Sequence, residues 1–120
     1  MSLTVTDLKV YVDGSGKNGT YCYIVAGSTP RIFTEGNLTN NQAEYKAIIA
    51  ALRELDVESL TVFSDSQLAV RQLNGMYQIR DPELKKLASN VQRLCQDREI
   101  QFKWLPRERN LAGKILEKLI

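Results

Sequence analysis

The chain has 120 residues, is 43% hydrophobic and 25% charged, and carries a formal net charge of +2. This is ordinary globular material with room for one core, so a single domain over residues 1–120 is expected. It has no histidine, and its two cysteines, Cys22 and Cys95, form no CxxC unit. A tetrahedral zinc site therefore lacks ligands. With no signal-peptide or transmembrane run, the cysteines read as reduced thiols of a cytoplasmic protein.

Leu8–Val12 alternates apolar and polar residues and then meets Asp13-Gly14-Ser15-Gly16, which predicts a strand followed by a turn. Thr20–Val25 and Arg31–Thr34 read as two further strands joined by turn residues, giving an antiparallel meander. Thr39–Asn41 supplies capping residues for a helix that runs to about Leu55, with Ile48, Ala51, Leu52 and Leu55 as its apolar face. Glu44 falls on that same face, one turn before Ile48. A carboxylate on an inward stripe is costly to bury unless a cation meets it, which marks Glu44 as functional.

Leu60–Phe63 predicts a short buried strand running into Ser64-Asp65, followed by a helix from Ser66 to about Leu73 that Asn74-Gly75 closes. Asp81-Pro82-Glu83 opens another helix, to about Gln96, with Leu84, Leu87, Val91 and Leu94 inside. Ile100–Leu105 alternates again as a strand. A last helix, capped by Asn110 or a neighbour, buries Ala112, Ile115, Leu116 and Leu119. The order βββαβααβα predicts an α/β fold, a mixed five-stranded sheet covered by helices, in which the fourth and fifth strands run parallel to the first. Asp13 and Asp65 then end adjacent parallel strands, at the edge where α/β ligand sites form, and Glu44 enters the same edge from its helix.

Carboxylates gathered there suit a hard divalent cation such as Mg²⁺ or Mn²⁺ and point to phosphoryl-transfer or phosphodiester chemistry. Charge is uneven along the chain. Residues 1–79 carry 6 basic and 8 acidic side chains, and residues 80–120 carry 10 basic and 6 acidic. An acidic site beside a basic C-terminal part fits a polyanionic substrate, but taken by itself the asymmetry is better explained as a solvated surface.

Four stretches, taken together, resemble the type 1 ribonuclease H family in its short form, without an inserted basic loop. They are Tyr11-Val12-Asp13-Gly14-Ser15, Thr39-Asn40-Asn41-Gln42-Ala43-Glu44-Tyr45, Ser64-Asp65-Ser66-Gln67-Leu68 with Gln72–Tyr77 after it, and Trp104-Leu105-Pro106-Arg107-Glu108. The resemblance implies a ribonuclease H-like fold and a monomeric endoribonuclease. Such an enzyme hydrolyses the RNA strand of RNA–DNA hybrids with two Mg²⁺ or Mn²⁺ ions, without sequence specificity. It further implies that Asp13 bridges the ions and that Glu44 and Asp65 hold the ion nearer the leaving group. Gly14, Ser15, Asn40, Asn41 and Gln67 are implied contacts to ribose hydroxyls and minor-groove edges. Turn and cap chemistry alone would also account for Gly14 and Asn40.

The chain departs from the family at the fourth ligand. Gly113 stands where the family has an aspartate, and the following Lys114 cannot replace it. Asn110 is the expected substitute, with Glu108 or water as alternatives, and Asn110 also reads as a plain N-cap. The family's catalytic-loop histidine is absent too. A catalytically weak or inactive hybrid-binding domain is the alternative that these departures imply.

Overall fold

The computed structural model describes residues 7–119. Its strands are β1 (Leu8–Ser15), β2 (Thr20–Val25), β3 (Arg31–Thr34), β4 (Ser59–Ser64) and β5 (Glu99–Trp104), and its helices are α1 (Asn40–Glu54), α2 (Gln67–Leu73), α3 (Pro82–Leu94) and α4 (Leu111–Leu119). A 3₁₀ turn, Arg107–Arg109, separates β5 from α4. The sheet order is β3-β2-β1-β4-β5. β1 is antiparallel to β2 and parallel to β4, and β4 is parallel to β5, as the element order predicts.

Alternation along β1 sends Val10 and Val12 to one face and Tyr11 and Asp13 to the other. The first face forms the larger core. There Val10, Val12, Tyr21, Tyr23, Leu60 and Val62 pack with α1 residues such as Ile48 and Leu52, and with Leu84 and Val91 of α3. On the second face a smaller cluster joins Cys22 to Ala112 and Leu116 of α4, with Tyr11, Ile24 and Ile115 at its margin. Asp13 therefore belongs to the side of the sheet that α4 covers.

The helix termini follow their sequence signals. Thr39 and Gln42 form a reciprocal capping box at the start of α1, Ser66 caps α2 by accepting from Ala69 N–H, and Asp81 caps α3 ahead of Pro82. Asn74 closes α2, and Gly75 after it takes a left-handed φ of 76°. Arg98 ties the ends of α1 and α3 together. Its guanidinium donates to the carbonyls of Leu52, Leu55, Val57 and Leu94.

One boundary and the burial of three leucines differ from the sequence reading. β1 does not stop at Asp13, because pairing with β2 continues to Ser15–Thr20 after pairing with β4 has ended at Tyr11–Phe63. Leu87 and Leu94 are only partly buried at the edge of the core. Leu119 is 54% exposed, not part of a buried face, since α4 meets the β1–β2 half of the sheet through Ala112, Gly113 and Leu116 and its last turn lies past that contact. Among the described residues, no helix is long and apolar enough to cross a membrane.

The approach of α1 to the end of β1 depends on Gly14. A β-carbon there would lie 2.3 Å from the carbonyl carbon of Ala43 and 2.6 Å from the nitrogen of Glu44, both backbone atoms that cannot swing aside. Gly14→Ala should therefore cost about 3 kcal/mol or more in urea-unfolding stability, at the upper end of overpacking penalties. Unchanged stability would show that the helix does not need this close approach.

Candidate active site

The parallel register of β1 and β4 brings the two aspartates together. Tyr11 is level with Phe63, and Asp13 and Asp65 each follow two residues later, so they share one end and one face of the sheet. The backbone at Asp65 is fixed by β5, because Trp104 Nε1 donates to its carbonyl at 3.1 Å and Leu105 N–H donates to Ser64 O at 3.1 Å. Glu44 reaches the same end from α1, one residue past its first turn, and is 5% exposed. Its oxygens accept from Ser64 Oγ at 2.6 Å and Gly14 N–H at 3.1 Å. Two hydrogen bonds thus orient a carboxylate that would otherwise be buried without partners.

These acids oppose one another. Burial, then the neighbouring Asp65 charge, raises the Asp13 carboxyl from 3.8 to about 6. Glu44 is held well above the ordinary carboxylate range by burial and then by Asp13. The Cys22 thiol behind them is pushed up to about 12, chiefly by burial, so it stays protonated and offers no thiolate. Among the described residues, one cation faces the pair. Arg107 Nη1 lies 3.5 Å from Asp65 Oδ2 and 3.8 Å from Asp13 Oδ2, while its Nε lies 3.4 Å from Glu117 Oε1. Among the described residues, no three acidic or cysteine side chains converge as a single ion-binding group. The arrangement is instead an aspartate pair spanned by a guanidinium, with Glu44 alongside. An all-oxygen set of carboxylates, Asp13 and Glu44 buried and Asp65 partly so, fits a hard divalent cation.

Asn110 is fully buried at the centre of this edge. Its Nδ2 donates to Val12 O at 2.9 Å and to Asp65 Oδ2 at 2.8 Å, and its Oδ1 accepts from Ala112 N–H at 3.1 Å. Two backbone groups of fixed polarity set this orientation, since a carbonyl can only accept and an N–H can only donate. The oxygen expected at a cation therefore caps α4, and the group turned to the acids is a donor. Glu108 is exposed in the 3₁₀ turn. Gly113 opens onto the pair, and a β-carbon there would lie at ordinary contact distance, 3.5 Å from Asp13 Oδ2 and 3.6 Å from Asp65 Oδ2.

Of the expected substrate contacts, Gly14 spends its N–H on Glu44, and Asn40 Oδ1 accepts from Gly16 N–H at 2.7 Å. Asn40, Asn41 and Gln67 are exposed, and Ser15 is partly so. Ser64 and Arg107 were missed as site residues in the sequence. The hydroxyl ahead of Asp65 was a usable signal for Ser64, whereas Arg107 read as one more charge in a basic tail.

Comparison with known proteins bears on the family and the fold. The profile of the reverse transcriptase-like family matches residues 17–118. Bifunctional protein Rv2228c of Mycobacterium tuberculosis is 40% identical over 79 residues, covering 62% of this chain and 22% of that protein. Ribonuclease HI of Halobacterium salinarum is 43% identical over 56 residues, covering 44% of this chain and 28% of that protein. The chain thus spans well under a third of the length of these curated relatives. Among solved structures, LC11-RNase H1 in complex with an RNA/DNA hybrid superposes with a TM-score of 0.82 at 27% identity, covering 92% of this chain and 93% of that one. The N-terminal ribonuclease H domain of Rv2228c superposes with a TM-score of 0.74 at 31% identity, over 93% and 96% of the two chains.

Two outcomes follow from the site geometry. Asn110→Asp turns a donor into an acceptor facing Val12 O and Asp65, so it should lose about 2–4 kcal/mol of stability. A variant as stable as wild type, with tighter divalent-ion binding, would return Asn110 to the role of oxygen ligand. The second concerns pH. A carboxyl with a raised folded pKa contributes stability that is complete below its unfolded value of 3.8 and is lost as pH rises through about 6. Asp13→Asn removes that loss. In chelator, the variant should gain about 1–3 kcal/mol on wild type between pH 4 and pH 7. A pH-independent difference in melting would contradict the burial and repulsion assigned to Asp13.

Proposed function

We propose, from the premise that this chain belongs to the type 1 ribonuclease H family, that it is an endoribonuclease hydrolysing the RNA strand of RNA–DNA hybrids. The observation that carries the reading is that Asp13 and Asp65, each two residues past the last β1–β4 pair, come close enough to share one Arg107 nitrogen, with Glu44 delivered to the same edge by α1. Asp13, Glu44 and Asp65 would hold the divalent ions, Mg²⁺ or Mn²⁺. Bound ions would supply an activated water and stabilise the leaving 3′ oxygen, chemistry that needs no histidine.

The other residues bind and orient. Ser64 and Gly14 fix the Glu44 carboxylate by hydrogen bonds to its two oxygens. Asn110 steers Asp65 by donating to one of its oxygens while capping α4, a positioning role in place of ligation. Asn40 keeps its amide N–H₂ for the hybrid, because its oxygen is engaged by Gly16. Asn41, Gln67 and Ser15 offer further polar groups to ribose hydroxyls and minor-groove edges, and Gly14 contributes close backbone approach. Such contacts read the hybrid by shape and 2′-hydroxyl, without sequence preference.

A second reading is a hybrid-binding domain of low or no activity. It is favoured by one specific arrangement: Gly113 brings no carboxylate, and the Asn110 oxygen is committed to α4.

End-labelled and uniformly labelled RNA–DNA, RNA–RNA and DNA–DNA duplexes, incubated with Mg²⁺ or Mn²⁺, test the proposal. Internal cuts in the RNA of the hybrid are expected, with the two other duplexes left intact. Asp13→Asn should lower the rate by at least about a hundredfold. Wild-type turnover by this variant in saturating Mg²⁺ would sink the assignment of Asp13. Release of terminal mononucleotides alone would indicate an exonuclease, and tight hybrid binding without cleavage would favour the second reading.

A further inference from the structure

Among the described residues, Arg107 is the one basic side chain within ion-pairing distance of the acid pair, and its placement competes with the ion that the pair is read as binding. Its Nη1 is 3.5 Å from Asp65 Oδ2 and 3.8 Å from Asp13 Oδ2, so a single nitrogen serves both carboxylates at once. A divalent cation held by the same two oxygens would sit at about 2.0–2.6 Å from each. It would enter the gap that the guanidinium spans, and two cations at that separation repel strongly. The two occupants therefore exclude one another.

Arg107 also has somewhere to go. Its side chain is 52% exposed, and its Nε already lies 3.4 Å from Glu117 Oε1, one helical turn beyond Gly113. The space beside the pair is free because residue 113 has no side chain. We propose that Arg107 is a resident counter-cation of the Asp13–Asp65 pair. It holds the two carboxylates together without a metal ion and is displaced toward Glu117 when a divalent ion binds. The proposal rests on the reading of Asp13 and Asp65 as ion ligands. It adds that this chain's ion affinity is set by competition with its own arginine.

Calorimetric titration of the full chain with Mn²⁺ at pH 7, together with metal-free melting curves, tests this. Arg107→Gln removes the competitor, and Mn²⁺ affinity should tighten by roughly three- to thirtyfold. Arg107→Lys keeps the charge and should remain within about threefold of wild type. The metal-free Arg107→Gln protein should melt below wild type, and saturating Mn²⁺ should close that gap. A merely structural Arg107 would lower melting equally with and without Mn²⁺ and leave affinity unchanged.

Glu117→Gln gives an arm that leaves Arg107 in place. It should weaken Mn²⁺ binding in the wild-type background and change it much less in Arg107→Gln, because the effect passes through the arginine. Equal or weaker Mn²⁺ affinity in Arg107→Gln, with wild type binding normally, overturns the competition while leaving the metal site intact. No Mn²⁺ binding by either chain overturns the competition and the ion-ligand reading together.

Discussion

Mutual repulsion among buried carboxylates is the constraint around which this molecule is arranged. Asp13, Glu44 and Asp65 are brought to one end of the sheet by three different elements, and two of them are held above their ordinary pKa by burial and then by a neighbouring aspartate, Asp65 for Asp13 and Asp13 for Glu44. Without a cation, such a cluster costs this fold stability. The surrounding structure answers with directed donors: Ser64 and Gly14 on Glu44, Asn110 on Asp65, and Arg107 across the aspartates. Every partner except Arg107 is neutral. The donors fix geometry and leave most of the negative charge in place, as a cation-binding site requires.

That requirement also explains features that look unrelated to chemistry. The close packing of α1 on β1 at Gly14 carries Glu44 to the edge where the aspartates sit. The overhang of β1 beyond its pairing with β4 keeps Asp13 rigid, since β2 still holds it through Cys22. The cap of α4 and the orientation of Asp65 are one interaction, because the same carboxamide performs both. Stability and site geometry are coupled at Asn110, and no substitution there can alter one alone.

Much of this was legible in the sequence, for local reasons. The capping residues at Thr39–Asn41, the Asp81-Pro82 start and the Asn74-Gly75 stop are short-range signals, and each sits where it was read. The parallel pairing followed from element order, and Glu44 stood out because a charge interrupted an apolar stripe. What was hidden depends on contacts distant in sequence. The polarity of the Asn110 amide is set partly by Val12, 98 residues away, and no local pattern encodes which end of an amide faces a carboxylate. Arg107 lies in a stretch rich in basic residues, where a single functional charge is indistinguishable from solvated ones. Leu119 follows the periodicity of α4, but periodicity cannot say where the sheet beneath a helix ends.

The central claim is that the excess negative charge at this sheet edge is built to receive a divalent cation. A melting series in rising Mg²⁺ at pH 7, run beside Asp13→Asn, tests it most directly. An ion that binds only the folded state should raise the wild-type melting temperature progressively, by mass action, and leave the variant nearly flat. Superimposable curves for the two proteins would contradict the claim.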